Sequence, residues 1–259
     1  MTNCGVRGSS TQGPSSQIVG GEDAAPLEFP WQVLVERTDS VIHICGGSVI
    51  NKEYIITAAH CTSTNSTPSS YTVTVEKYHS DQQDPNERQL AVSEVTTHPK
   101  WVSATLEYDY ALLKLETPLD FSGVDKNVMP ICLPEKDQTF ENQTCTATGW
   151  GTTVNDGQAL APILQKVDLP IISFEECSQL IASVDNEDAM ICGNYKDVGK
   201  STCSGDSGGP LQCPRADGHY VLAGLTSFGT TCGAPDHPSV FSKVATQVDW
   251  IQSVTGEIP

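Results

Sequence analysis

Six consecutive residues, Gly205-Asp206-Ser207-Gly208-Gly209-Pro210, set one serine hydroxyl on a glycine-rich turn where the backbone can approach a substrate. Ser207 is a candidate nucleophile. The N–H groups of Gly205 and Ser207 are candidate donors to an oxyanion. A serine is a weak nucleophile alone, so it requires a base and an orienting carboxylate elsewhere. Without them the same residues are an ordinary turn, because Gly, Asp and Ser are common turn formers. Both partners have candidates upstream. His60 lies in Thr57-Ala58-Ala59-His60-Cys61, after the apolar run Tyr54-Ile55-Ile56. Asp109 opens the alternating stretch from Asp109 to Leu115, which reads as a strand.

The order His, Asp, Ser is that of the chymotrypsin-type triad. Further motifs fit it: Ile18-Val19-Gly20-Gly21, Pro30-Trp31-Gln32-Val33, Cys45-Gly46-Gly47-Ser48, Thr148-Gly149-Trp150-Gly151, Ser227-Phe228-Gly229 and Val248-Asp249-Trp250-Ile251. On these residues the chain, from Cys4 to its terminal segment, resembles the chymotrypsin-like serine proteases. The resemblance implies an all-β fold of two six-stranded Greek-key β-barrels packed together, with a C-terminal α-helix. Residues 1–17 would be a propeptide and 18–259 the peptidase domain, with barrels over about 18–130 and 131–245 and a helix over about 246–256.

The elements that must position the triad are legible independently. Short runs such as Tyr71–Val75, Leu90–Val95, Leu164–Val167 and Tyr220–Leu225 are rich in β-branched and aromatic residues and are broken by turn residues, which argues for an all-β protein. Val244, Val248, Ile251 and Val254 recur at helical spacing near the end. The 259 residues carry a net charge of −18. That charge argues against nucleic acid and against an anionic membrane as partners, and suits solubility in a secreted setting. No apolar run approaches the roughly 18 residues that would span a bilayer. The first residues lack the apolar core of a signal peptide, which reads as a start from which a natural signal has been removed. Ten cysteines with no Cys-x-x-Cys pair favour disulfides over zinc or redox chemistry and an extracellular setting. Spacing does not give their connectivity. The resemblance implies Cys4–Cys132, Cys45–Cys61, Cys145–Cys213, Cys177–Cys192 and Cys203–Cys232. Asn65 and Asn142 stand in glycosylation sequons.

The resemblance also implies roles. His60 takes the Ser207 proton as the hydroxyl attacks a peptide carbonyl, Asp109 holds the imidazole, and the Gly205 and Ser207 amides hold the oxyanion. Ser227 supports Asp109. Phe228 replaces the usual tryptophan. The base of the specificity pocket falls on Ser201, its neck on Gly229 and its opposite wall on Ser239. A serine at the base cannot neutralise a buried cation, so cleavage after Phe, Tyr, Leu or Met is expected, with an elastase-like preference as the alternative. A non-catalytic homologue acting as a binding or regulatory module is the alternative of a different class. No cofactor is required. Calcium between Glu76 and Glu87 is a candidate. Partners would be protein or peptide substrates, an activating protease and protein inhibitors, with a monomer expected.

In such precursors, cleavage before the isoleucine frees an amine that pairs with the aspartate before the nucleophile. Here Ile18 is internal and Gln17 precedes it, where Arg or Lys is usual. Gln17 suits either an activator of other specificity or a deliberate change that traps the precursor. The uncut chain is therefore expected to be inactive. Asp206 should turn from Ile18, with His43 as a candidate partner, and the oxyanion hole and pocket walls should be unformed. Leu34 stands where chymotrypsinogen-like precursors carry a serine beside that histidine.

Overall fold

The computed structural model describes residues 4–8, 21–38, 44–63, 67–152, 159–194, 201–234 and 237–256. The strands are β1 (Glu22–Asp23), β2 (Gln32–Arg37), β3 (Ile44–Val49), β4 (Tyr54–Thr57), β5 (Tyr71–Val75), β6 (Arg88–Thr97), β7 (Ala111–Leu115), β8 (Thr144–Gly149), β9 (Gln165–Ile172), β10 (Met190–Gly193), β11 (Pro210–Pro214), β12 (Tyr220–Phe228) and β13 (Ser239–Lys243). Among the described residues two helices longer than one turn, α1 (Phe174–Leu180) and α2 (Val248–Thr255), accompany the strands.

Strands β2-β3-β4-β7-β6-β5 close into one antiparallel barrel. Strands β8-β9-β10-β13-β12-β11 close into a second, and β1 lies along β9 with Glu22 opposite Lys166. Side chains alternate across a strand. In β9 that alternation buries Gln165, Val167, Leu169 and Ile171 and turns Lys166 and Asp168 outward. One core gathers Trp31, Val33, Ile55, Leu112 and Leu113, reaching Leu225 and Ile251. The other gathers Leu169, Leu211, Ala223 and Phe241.

Buried polar groups join the barrels. Trp31 Nε1 donates to Gln212 Oε1 at 2.7 Å, and Thr148 Oγ1 donates to Gln32 Oε1 at 2.6 Å. These pairs cross from the first barrel to β8 and β11, and a satisfied buried network fixes register more firmly than apolar contact alone.

All five implied disulfides are present, each with bridging geometry. Cys4–Cys132 ties the N-terminal residues to the second core. Arg7 adds to that tie: its guanidinium lies 5.0 Å from the Phe29 ring centre and pairs with the buried Glu28, which also accepts from Lys166 Nζ at 2.8 Å.

Two local boundaries differ from expectation. The strand expected from Asp109 begins at Ala111, leaving Asp109 free of the ladder. Helix α2 begins at Val248, so the buried Val244 belongs to the chain that leads into it. No helix among the described residues is long and apolar enough to cross a membrane.

Candidate active site

Strand pairing brings His60 and Asp109 to one end of the first barrel. β4 runs antiparallel to β7 with Thr57 opposite Ala111, so the chain leaving β4 and the chain entering β7 meet. His60 sits in a single 3-10 turn, Ala59–Cys61, and Cys61 is bonded to Cys45 in β3. The disulfide therefore anchors the histidine to the barrel wall.

Asp109 is fully buried. Its Oδ1 accepts from His60 N–H at 2.8 Å, and its Oδ2 lies 2.7 Å from His60 Nδ1. Ser227 Oγ donates to the same Oδ2 at 2.6 Å. A buried carboxylate needs such donors to remain in a low-dielectric interior. Together they fix the imidazole with Nδ1 toward Asp109, which leaves Nε2 as the ring atom for a second partner. The His60 side chain is 26% exposed, so that atom is within reach of a substrate.

Ser207 comes from the second barrel, on the turn between Cys203 and β11. The turn is pinned across the barrel boundary: Gly46 N–H donates to Ser207 O at 2.7 Å. Gly208 N–H donates to Thr226 O at 2.7 Å. Gly208 has φ +75°, and a Cβ there would lie 2.2 Å from Thr57 Oγ1, so only glycine lets the turn close on the first barrel. Gly205 has φ +100°. Neither Gly205 N–H nor Ser207 N–H finds an acceptor among the described residues, so both donors are available to an oxyanion.

The Asp206 carboxylate is buried and faces the Gly149–Gly151 segment. Oδ1 accepts from Gly151 N–H and Oδ2 from Cys203 N–H, both at 2.8 Å. Burial pushes its pKa up to about 6, while the two backbone donors pull the other way. Gln17, Ile18 and His43 lie outside the described residues, as does the sequon Asn65. Asn142 is exposed on the turn before β8.

A carboxyl whose folded pKa exceeds its unfolded value weakens the fold as it ionises. Asp206 should therefore reduce the stability of the uncut chain as pH rises from about 4 to about 6, by on the order of 3 kcal/mol. Thermal unfolding of the uncut chain and its Asp206→Asn variant over that window checks this. The gap in melting temperature should shift in favour of the variant as pH rises, and a constant gap would contradict it.

The pocket beside Ser207 has a volume of about 190 Å³, with Ser201, Ser227, Phe228, Gly229 and Ser239 in its wall. Unformed walls were expected, whereas the described lining residues enclose a pocket here. Cys203–Cys232 ties two of its sides. A Cβ on Gly229 would meet nothing nearer than Pro238 O at 3.9 Å, so the neck is open. Thr226, Thr231 and His237 also line the pocket and were not singled out by sequence. His237 Nδ1 lies 2.5 Å from Thr230 Oγ1. A cavity of about 260 Å³ near Leu27, Phe29 and His79 contains no serine, so it offers no comparable nucleophile.

Glu76 and Glu87, the candidate calcium residues, each have a protein partner. Glu76 accepts from Asn127 Nδ2 at 2.9 Å, whereas Glu87 pairs with Lys77 Nζ at 2.5 Å. The Lys77 ammonium also donates to Gln82 O at 2.8 Å, so a fixed cation already serves this loop. The single candidate metal cluster among the described residues is Cys45, His60 and Cys61, and both thiols are consumed in a disulfide. Added calcium or a chelator should leave the melting temperature unchanged in calorimetry. A calcium-dependent rise would contradict the Lys77 assignment.

Comparison with known proteins agrees with this geometry. Residues 18–251 match the family model described as Trypsin. The chain is 38% identical over 261 aligned positions to the serine proteinase stubble of Drosophila melanogaster, covering 96% of the chain. It spans 32% of that relative's length, about a third.

Proposed function

From the premise that the chain belongs to the trypsin family of serine endopeptidases, we propose that Ser207 is its nucleophile, His60 its general base and acid, and Asp109 the group that orients His60. The observation that carries this reading is the Asp109 carboxylate, which accepts from both His60 Nδ1 and Ser227 Oγ. With Nδ1 committed, Nε2 takes the Ser207 proton as Oγ attacks the peptide carbonyl. It then protonates the leaving amine, and water repeats the cycle on the acyl-enzyme. The Gly205 and Ser207 N–H groups receive the oxyanion, and such a donor is typically worth about 2.7–4 kcal/mol.

The pocket reading favours Phe, Tyr, Leu or Met before the scissile bond. Ser201 places no charge at the pocket base to receive Arg or Lys. Ser239 narrows the wall, which keeps an elastase-like preference for small residues as the second reading. We also read the uncut chain as a secreted precursor that needs a protease able to cut after Gln17. Five disulfides suit an oxidising compartment. A purely binding role leaves an intact triad without a purpose.

The experiment places arginine at position 17 (Gln17→Arg), treats with trypsin, and offers chromogenic peptides ending in Phe, Leu, Ala and Arg. Turnover after Phe and Leu is expected. No turnover of any peptide would discard the catalytic reading, and turnover after Arg alone would overturn the Ser201 argument.

A further inference from the structure

Asp109 stands in a tight backbone turn that its neighbours do not favour. Tyr110 N–H donates to Tyr108 O at 2.9 Å, so the chain bends sharply around Asp109. Tyr108 has φ +51°. That is the left-handed region, which glycine and asparagine enter readily and a bulky aromatic residue rarely does. A residue so strained persists only where its surroundings over-determine it. The ring of Tyr108 stacks on His98, with centroids 5.2 Å apart and planes 7° from parallel, and Lys100 Nζ lies 5.0 Å from its centre. His98 is buried and is itself fixed. Its N–H donates to Tyr110 O at 2.9 Å, and its Nδ1 accepts from Lys100 N–H at 3.2 Å. Its ring meets those of Tyr110 and Trp250 at steep angles, with centroids 5.6 and 4.5 Å away. Burial lowers the His98 pKa to about 4, so at neutral pH the stack joins two uncharged rings.

The segment around Asp109 is also anchored to the second barrel. Glu107 Oε2 accepts from Asn186 Nδ2 at 2.6 Å, and Tyr110 Oη donates to Lys243 O at 2.7 Å. Tyr108 packs against the first core and against the cluster that holds Ile181, Val184 and Met190. Residues on both sides of Asp109 thus fix its carboxylate against the barrel that carries Ser207 and Ser227. The carboxylate stands 2.7 Å from His60 Nδ1 and 2.6 Å from Ser227 Oγ. A displacement of about 1 Å would break either hydrogen bond.

We propose that Tyr108 is a positioning residue for catalysis: its ring, stacked on His98, holds the left-handed turn that aims the Asp109 carboxylate at His60 Nδ1. The inference rests on the reading of Asp109 as the group that orients His60. Without the stack, residue 108 relaxes towards negative φ, and the peptide leading into Asp109 rotates with it. The carboxylate then points away from His60, whose ring loses its fixed tautomer. Ser207 and the pocket beside it, on the second barrel, are untouched. The loss therefore falls on kcat and not on KM.

The test uses the trypsin-activated Gln17→Arg enzyme and a Phe anilide, with rates normalised by active-site titration so that misfolded molecules do not count. Tyr108→Leu removes the ring, His98→Ala removes its support from the other side, and Tyr108→Phe keeps the stack. Tyr108→Leu and His98→Ala should each lower kcat about 100-fold with KM within about twofold of the parent, the cost of a catalytic group misplaced by about 1 Å. Tyr108→Phe should match the parent. The second readout is the far-downfield proton NMR resonance of His60 Nδ1–H, identified by its loss in Asp109→Asn. It should vanish or broaden in Tyr108→Leu and His98→Ala and persist in Tyr108→Phe. If Tyr108→Leu does not fold, His98→Ala decides. Unchanged kcat in the variants that lack the stack overturns the proposal, as does a fall in kcat with the resonance undisturbed. A rise in KM alone overturns it too, because Tyr108 would then act on substrate binding. A loss as large in Tyr108→Phe excludes the ring stack as the cause. Parental activity in Asp109→Asn would instead overturn the reading of Asp109 itself.

Discussion

Asp109→Asn will lower kcat by about 10⁴-fold in the activated enzyme while the protein stays folded. Asp109 is buried, and three donors converge on its two oxygens. An asparagine keeps the shape but turns one oxygen into an N–H₂ donor. If that donor faces His60 Nδ1, the ring must present a lone pair there and carry its proton on Nε2. A protonated Nε2 cannot accept the Ser207 proton. If the amide flips, the donor faces His60 N–H and that hydrogen bond is lost instead. Steady-state turnover of a Phe anilide checks the rate, and thermal unfolding checks the fold. A variant within tenfold of the parent would show that Asp109 does not set the tautomer of His60.

The second large effect lies one residue before the nucleophile. In the Gln17→Arg background, trypsin treatment should raise peptidase activity by several orders of magnitude, and Asp206→Asn should remove two to three of them. Before cleavage the Ile18 nitrogen is a peptide N–H without charge, and among the described residues the Asp206 carboxylate accepts from the Gly151 and Cys203 N–H groups. Cleavage supplies an ammonium, and a buried ion pair broken by loss of one partner costs roughly 3–5 kcal/mol. At about 1.36 kcal/mol per decade that is some two to three and a half decades. An asparagine leaves the ammonium unpaired, so the neighbouring Gly205 N–H loses its fixed position. Activity after cleavage, normalised by active-site titration, measures the difference. Full activity in the Asp206→Asn enzyme would separate Gly205 from the state of Asp206.

The candidate triad could be singled out because its three residue types occur in a diagnostic order, each beside a short motif. The barrels were legible from period-two burial, as β9 illustrates. The specificity pocket was only half legible. Ser201 and Ser239 could be placed by their distance from Ser207 and Pro238, but their hydrogen bonds run to Gly233 and Thr202, backbone groups far away in sequence. Thr231 and His237 escaped because the residues on either side of Cys232 carry no pattern. The spacing of Glu76 and Glu87 gave no sign that Lys77, directly after Glu76, pairs with Glu87 across the loop. Strand β1 escaped as well, since two residues are too short to show any period.

The most direct measurement labels the activated enzyme with a fluorophosphonate and locates the adduct by peptide mass spectrometry, alongside turnover by Ser207→Ala. The expected result is a single adduct on Ser207, with no labelling and no measurable turnover in Ser207→Ala. An adduct on another serine, or undiminished peptide hydrolysis by Ser207→Ala, would contradict the assignment of Ser207 as the nucleophile.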